Sequence, residues 1–257
     1  MILKYKNINI NYSIKGTGKA VVLLHGFLEN KTMWNPFIPN FSKKHQVIAI
    51  DLLGHGKTGC TGSVHSMEDM ADAVRAVLKK LDIKKSILIG HSMGGYVALA
   101  FAEEYPDEVT GLCLMNSTGQ SDSEEKKINR DRAVEAVSAN KNRFVRISVT
   151  NLFRPKNRTI FSKELKQVKN EALKIPLEGI TAALKGMKIR KDRRKVLQTL
   201  TCKKMMIIGK RDPVLDYEAL ISQTENTDIQ IVEFPDGHMS HIENKADFLT
   251  AIMHFIE

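Results

Sequence analysis

Short apolar runs alternate with amphipathic stretches through the first half of the chain. Residues 21–24 and 46–52 are dominated by apolar side chains, which is typical of strands buried on both faces. Residues 66–81 instead repeat apolar side chains at three- and four-residue steps, and Ser66 with Asp69 forms a capping box at the start. Strands and helices in alternation predict a mostly parallel sheet that is covered by helices on both faces.

The predicted elements follow one order along the chain. Alternating residues with Asn and Gly turn signals over 2–15 predict an N-terminal hairpin. Strands are predicted at 21–24, 46–52, 86–90, 109–115, 203–209 and 228–234, and helices at 31–42, 66–81, 92–104, 215–223 and 243–256. Between residues 119 and 195, a segment that we call the insertion, helix-like stretches rich in Lys and Arg replace the alternation.

Composition limits the class of protein. The 257 residues are 42% apolar and 26% charged, enough for one large domain or a core plus an insertion. No apolar run approaches the ~20 residues that a membrane helix needs, and lysines lie where a signal peptide would be apolar. We therefore expect a soluble, cytoplasmic protein that does not bind membranes. Three widely spaced cysteines (Cys60, Cys113 and Cys202) exclude a disulfide framework.

The net charge of +10 is concentrated in the middle of the chain. Residues 119–200 carry 21 basic and 9 acidic side chains, a net charge of +12, whereas the flanking parts together carry −2. This basic segment has few aromatic residues between its charges, so we expect no nucleic-acid binding. Two interpretations stay open: a surface that attracts anionic, carboxylate-bearing substrates, or an ordinary solvated exterior.

One motif carries nucleophilic chemistry. Gly90-His91-Ser92-Met93-Gly94 matches the Gly-x-Ser-x-Gly nucleophile elbow, in which a serine occupies a sharp turn between a strand and a helix. The predicted strand 86–90 and the predicted helix 92–104 flank it on the correct sides. A Gly-rich turn with an idle serine is the alternative, but this flanking pattern makes Ser92 our candidate nucleophile.

A serine nucleophile needs a base and an acid that orients the base. Asp212 and His238 each follow the carboxyl end of a predicted strand, in the chain order that the elbow fold requires. We predict Asp212 as the acid and His238 as the base. His241 is the alternative base, and Asp216 and Asp236 are the alternative acids.

Two backbone N–H groups are candidates for the oxyanion hole. Met93 follows the nucleophile, and Phe27 lies in the loop after the strand at 21–24. A metal cluster of Asp236, His238, His241 and Glu243 is a weaker hypothesis, because such a metal would occupy the base. We expect no metal and no cofactor.

Five motifs together resemble the α/β-hydrolase superfamily, specifically its small, capped, carboxylesterase-like serine hydrolases. They are His25-Gly26-Phe27 with Trp34, the segment from Asp51 to Gly56, Gly90–Gly95, the segment from Gly209 to Asp212, and Gly237-His238. The resemblance covers almost the whole chain apart from the insertion. It implies an α/β-hydrolase fold with a core at 1–118 and 196–257, a helical cap at 119–195, and the site residues predicted above.

The resemblance implies a function but does not name a substrate. Ser92 argues against dehalogenases and epoxide hydrolases, which have Asp at that position, and Tyr96 weakens a menaquinone-pathway assignment, where Arg is usual. We expect a carboxylesterase that acts on small to medium acyl esters through an acyl-enzyme. A C–C bond hydrolase and a cofactor-free perhydrolase would use the same triad. A slow-turnover, receptor-like binding protein is the alternative from another class.

Overall fold

A computed structural model describes all residues 1–257. Eight strands form one sheet in the order β1-β2-β4-β3-β5-β6-β7-β8. They are β1 (Ile2–Tyr5), β2 (Ile8–Lys15), β3 (Lys19–Leu24), β4 (His45–Ile50), β5 (Ser86–His91), β6 (Val109–Met115), β7 (Lys203–Gly209) and β8 (Gln230–Phe234). β2 runs opposite to the other seven strands, which confirms the predicted hairpin and the mostly parallel sheet.

Twelve α-helices and two short 3-10 helices, Lys31–Trp34 and Pro106–Glu108, surround the sheet. The α-helices are α1 (Ile38–Phe41), α2 (Met67–Lys80), α3 (Met93–Glu104), α4 (Glu124–Ala139), α5 (Lys141–Leu152), α6 (Asn157–Ile160), α7 (Ser162–Ala172), α8 (Leu177–Lys188), α9 (Arg194–Thr199), α10 (Tyr217–Ser222), α11 (Ser240–Glu243) and α12 (Lys245–Ile256). None of these helices combines the length and the apolar character needed to span a bilayer.

The apolar core has two parts, one on each face of the sheet. In β3, Val22 and Leu24 join the core that contains α2 and α3, whereas Val21 and Leu23 join the core under α12. Because successive side chains of a strand point to opposite faces, a fully apolar strand contributes to both cores. This explains why the buried strands lack a polar alternation in the sequence.

Local backbone chemistry shortens two predicted helices. The predicted helix at 31–42 is a 3-10 helix followed by the four-residue α1, with Pro36 between them and Pro39 inside α1. Proline disfavours helical backbone in the residue before it and donates no N–H, so the two short pieces do not join. The closing helix begins at Lys245 rather than residue 243, because Asn244 has non-helical angles (φ −135°, ψ 41°).

The insertion contains helices and no strand. It holds α4 to α8 and the first residues of α9, all between β6 and β7. Its buried side chains, including Val137, Val149 and Ile180, belong to the same apolar cluster as Leu24 of β3. The insertion therefore packs over the face of the sheet that also carries α2 and α3, next to the ends of the strands.

Candidate active site

The carboxyl ends of the parallel strands bring the candidate residues to one edge of the sheet. Ser92 directly follows β5 and precedes α3, with φ 49° and ψ −114°. A non-glycine residue rarely adopts a positive φ, so the backbone at Ser92 is strained, as the elbow motif requires. The Ser92 N–H donates to Met115 O of β6 at 2.9 Å, and the Ser117 hydroxyl donates to Ser92 O at 2.8 Å.

The glycines of the elbow are required by close backbone contacts. A Cβ atom on Gly90 would lie 2.3 Å from Gly94 O, and a Cβ on Gly94 would lie 2.4 Å from Leu24 O. Both distances are far below van der Waals contact, and both contacts are with backbone atoms that cannot rotate away. The glycine spacing in the sequence thus reflects the packing of β5, β3 and α3 around Ser92.

The strain at Ser92 leads to a stability prediction. We expect Ser92→Gly to be more stable than Ser92→Ala by about 1 kcal/mol in the free energy of unfolding. Glycine accepts a positive φ without steric cost, whereas alanine does not. Urea unfolding of the two variants measures this difference. Equal stability, or a more stable alanine variant, would show that the backbone at residue 92 is not strained.

Asp212 and His238 are in direct contact. The His238 Nδ1–H donates to Asp212 Oδ2 at 2.7 Å, and both side chains are almost fully buried. The other carboxylate oxygen, Oδ1, accepts the N–H groups of Val214 at 2.8 Å and Leu215 at 3.1 Å. Burial opposes ionisation of Asp212, but the His238 imidazole and these hydrogen bonds outweigh it, so the pKa of Asp212 is lowered.

A cavity of about 240 Å³ places Ser92 and His238 side by side. It is lined by Phe27, Leu28, His91, Ser92, Tyr96, Arg130, Ala133, Phe144, Ser148, Leu152, Leu184, Met187, Val214 and His238. The core contributes the reactive groups and the insertion contributes most of the apolar wall. Ser92 makes no hydrogen bond to His238, although both line the same space; such contacts are often long before substrate binds.

The two candidate oxyanion donors are free to bind a ligand. Phe27 lies in the loop after β3 and lines the cavity, and its N–H donates to no group of the protein. Met93 is the first residue of α3, where a helix offers no internal acceptor to the N–H. The helix N-terminus adds a positive partial charge at the same place.

Residues 19–245 match the alpha/beta hydrolase fold family. The chain belongs to the α/β-hydrolase family. A thermophilic esterase from Thermogutta terrifontis, whose structure was determined with malate bound, superposes with a TM-score of 0.91. It is 31% identical and aligned over 97% of this chain and 93% of that one. The protein is thus a hydrolase-family enzyme with an esterase among its structural neighbours.

Curated relatives match a shorter segment of the chain. An uncharacterized Mycobacterium tuberculosis protein is 38% identical over 108 residues, 42% of this chain and 32% of that protein. A 2-hydroxy-6-oxononadienedioate/2-hydroxy-6-oxononatrienedioate hydrolase from Burkholderia vietnamiensis is 39% identical over 116 residues, 42% of this chain and 40% of that protein. The chain therefore aligns with about a third of the length of the first curated relatives that it matches.

The loop that carries His238 is fixed by contacts to the insertion and to α11. The His238 N–H donates to Leu152 O of α5 at 3.1 Å. The Glu243 carboxylate accepts the N–H groups of Gly237 and Arg154 at 3.1 Å each. Glu243 and Asp236, which the sequence suggested as metal ligands, instead hold this loop, since Asp236 pairs with Arg154 at 2.9 Å.

A buried carboxylate that the sequence did not single out connects three loops of the site. Glu29 Oε2 accepts the Gly26 N–H at 2.8 Å and the His91 Nδ1–H at 2.6 Å. The His91 Nε2–H donates to the backbone carbonyl of His238 at 3.0 Å. Burial opposes both charges, but mutual attraction outweighs it, which lowers the pKa of Glu29 to about 2 and raises the pKa of His91.

The same carboxylate is part of the set that comes closest to metal geometry. Potential ligand atoms of Glu29, His91 and His241 lie within 4.8 Å of one another, all of them buried. Glu29 Oε2 already accepts two hydrogen bonds, one of them from His91 Nδ1, so the geometry is that of an ion pair. His241, the alternative base, packs against the His91 ring and does not line the cavity with Ser92.

Two buried histidines make the stability of the protein depend on pH. Burial lowers the pKa of His55 and of His241 from 6.5 to about 3. Each therefore takes up a proton only in the unfolded chain as the pH falls from about 6.5 to 3, which favours unfolding. Each neutral histidine makes its full contribution to the unfolding free energy above about pH 6.5. Below that pH, the unfolding free energy falls by about 1.4 kcal/mol per pH unit for each histidine.

The prediction is tested by urea unfolding at several pH values. We expect the unfolding free energy of His55→Gln to fall less steeply between pH 6 and 4.5 than that of the wild type. His254→Gln, at an exposed position of α12, is the matched control and should keep the wild-type slope. An unchanged slope in His55→Gln would contradict the assignment of His55 as a buried neutral group.

Proposed function

We propose that this hydrolase cleaves carboxylic esters of small to medium acyl chains through a Ser92–His238–Asp212 triad. The observation that carries the proposal is the 2.7 Å contact of His238 with Asp212, beside a cavity that also contains the strained Ser92. The 31% identity to an esterase over nearly the whole chain supports ester hydrolysis over other reactions of the family. In this proposal the insertion is the cap that closes the acyl pocket.

The mechanism has two halves. The His238 Nδ1–H bond to Asp212 leaves Nε2 as the base, which takes the proton of the Ser92 hydroxyl while Oγ attacks the ester carbonyl. The N–H groups of Phe27 and Met93 stabilise the resulting oxyanion. His238 then gives the proton to the leaving alcohol, and the acyl group stays on Ser92.

Water completes the cycle. His238 removes a proton from a water molecule that attacks the acyl-enzyme, and the second oxyanion occupies the same N–H donors. When the Ser92 ester bond breaks, the carboxylic acid leaves and the proton returns to Ser92 Oγ. Asp212 stays ionised throughout, consistent with its lowered pKa, and stabilises the imidazolium in both halves.

The second candidate function is hydrolysis of a C–C bond in a diketone-like substrate. It is favoured by the 39% identity, over 116 residues, to a Burkholderia vietnamiensis protein named as an oxononadienedioate hydrolase. Both reactions would use the same triad. Variants of the triad therefore do not distinguish ester hydrolysis from C–C bond hydrolysis, but the choice of substrate does.

Initial rates on p-nitrophenyl esters from acetate to laurate test the proposal. We expect turnover that peaks at short or medium chains, because the cavity of about 240 Å³ is small. Wild-type rates that do not exceed the uncatalysed background for any ester would reject ester hydrolysis, and vinylogous diketones would then test C–C cleavage.

A further inference from the structure

The cavity next to Ser92 contains one permanently charged side chain. Arg130 of α4 lines the wall that the insertion contributes, among Ala133, Phe144, Leu184 and Met187. A guanidinium group in an apolar wall is costly unless it is paired, and its charge acts strongly there because little water screens it. We therefore expect Arg130 to have a negatively charged partner, either in the cavity or in the protein behind it.

A buried carboxylate provides one part of that pairing. Asp122, whose side chain is 1% exposed, accepts the Arg130 Nε–H through Oδ2 at 3.0 Å. The terminal Nη groups of Arg130 make no hydrogen bond within the protein, and its side chain is 23% exposed. The fork edge of the guanidinium, which matches a carboxylate in geometry, is thus left for a ligand.

A second arginine, Arg190, pairs with the other carboxylate oxygen of Asp122. Arg190 Nη1 lies 2.7 Å from Asp122 Oδ1, and the Arg190 side chain is only 4% exposed. Its guanidinium also stacks over the Tyr96 ring at 4.2 Å and donates to Met187 O and Gln120 O. Two guanidinium groups therefore share one carboxylate, which leaves one positive charge uncompensated at the cavity wall.

We propose that Arg130 binds a free carboxylate at the far end of the acyl chain, so that the hydrolase acts on monoesters of dicarboxylic acids. This inference rests on the proposed ester hydrolysis and names the substrate class. Asp122 is the positioning residue, because it holds the guanidinium through its Nε–H, and Arg190 pairs with the other carboxylate oxygen of Asp122. The apolar wall around it accommodates the methylene groups between the ester and the carboxylate.

Matched pairs of methyl esters test the proposal. Monomethyl succinate, glutarate and adipate are compared with methyl pentanoate, hexanoate and heptanoate, which carry an ethyl group in place of the carboxylate. Proton release in a pH-stat gives kcat/KM for each ester. We expect the wild type to prefer the monoester of at least one pair, and Arg130→Gln to reduce that preference by about 10- to 100-fold, the effect of a charged hydrogen bond.

The neutral esters separate binding of the carboxylate from general damage. Arg130→Gln should lower kcat/KM for the monoesters about 10- to 100-fold more than it lowers kcat/KM for the paired neutral esters. Arg132→Gln is the matched control on the same helix, because Arg132 is exposed, donates to the Asn129 side chain and does not line the cavity. Arg130→Lys, which keeps the charge but loses the fork, should retain part of the preference.

Wild-type inhibition gives a test that does not depend on a folded variant. 5-Oxohexanoate, a non-hydrolysable ketone analogue of monomethyl glutarate, should inhibit hydrolysis of a neutral ester more strongly than heptan-2-one does, and added salt should weaken this difference. The inference is overturned if the wild type and Arg130→Gln show the same ratio between paired esters, or if 5-oxohexanoate and heptan-2-one inhibit equally. In those cases the neutral esters are still cleaved and the proposed function stands, whereas no cleavage of any ester by the wild type rejects both.

Discussion

Ser92→Ala is expected to lose at least about 10⁴-fold in kcat on the best p-nitrophenyl ester while the fold stays intact. The alanine keeps the Cβ atom, the positive φ and the backbone contacts of Ser92 with Met115 and Ser117, and it removes only the attacking oxygen. Without Oγ no acyl-enzyme forms, and the cavity retains only weak stabilisation by the N–H groups of Phe27 and Met93. Initial rates with active and variant protein at equal concentration measure the loss.

Ser148→Ala is the matched control for this variant. Ser148 lies on α5 and lines the same cavity, so its hydroxyl is exposed to the same substrate. We expect its kcat to stay within about threefold of the wild type, because a hydroxyl with no base beside it is a poor nucleophile. A Ser92→Ala variant that keeps more than a hundredth of the wild-type rate would contradict the assignment of the nucleophile.

Asp212→Asn is expected to lower kcat by about 10⁴-fold, the loss that follows when the base takes the wrong tautomer. The N–H groups of Val214 and Leu215 hold the Oδ1 position as an acceptor. The new amide NH₂ of residue 212 must therefore occupy the Oδ2 position, where it faces His238 Nδ1. Nδ1 then accepts a hydrogen bond instead of donating one, Nε2 carries the proton, and the base cannot receive the proton of Ser92.

The side-chain amide of Asn116 adds a loss of stability to the Asp212→Asn variant. Asn116 Nδ2 donates to Asp212 Oδ2 at 3.2 Å, so the variant also brings two NH₂ groups together and some loss of stability accompanies the loss of rate. Asp216→Asn is the control, since Asp216 caps α10 at the surface and does not contact His238. If Asp212→Asn kept a tenth or more of the wild-type kcat, Asp212 would not be the residue that orients the base.

The parts of the fold that the sequence predicts best are those dominated by burial. The strand at residues 109–115 and that at 203–209 have the bounds of β6 and β7, because a strand between two apolar cores is apolar throughout. The amphipathic helix at 66–81 is α2, with Ser66 accepting the Asp69 N–H as its cap. The split at 31–42 was missed because two prolines outweigh the helical spacing of the apolar residues.

The candidate triad could be predicted because each residue has a local signal. Ser92 lies in a glycine pattern, and Asp212 and His238 each follow a strand. Glu29 has no such signal, since its partner His91 is 62 residues away in sequence, and His91 reaches His238, 147 residues away, only in the folded chain. Asn116, for which the sequence analysis gives no role, supports Asp212 through its side-chain amide.

The charge pattern of the insertion also does not identify Arg130 as a residue of the cavity. The excess of basic residues predicts a positive segment but does not distinguish solvated lysines from a functional arginine. Only the folded chain shows that Arg130 lines the cavity while Asp122 and Arg190 lie behind it. A charge becomes informative once its burial and its partners are known.

Covalent labelling tests the central claim, that Ser92 forms an acyl-enzyme, most directly. An alkyl fluorophosphonate reacts with an activated serine and leaves a stable adduct, which intact-mass and peptide mass spectrometry detect and locate. We predict one adduct per chain, on the peptide that contains Ser92, with labelling lost in Ser92→Ala and strongly slowed in Asp212→Asn. A wild-type protein that stays unlabelled, or an adduct on another residue that persists in Ser92→Ala, would contradict it.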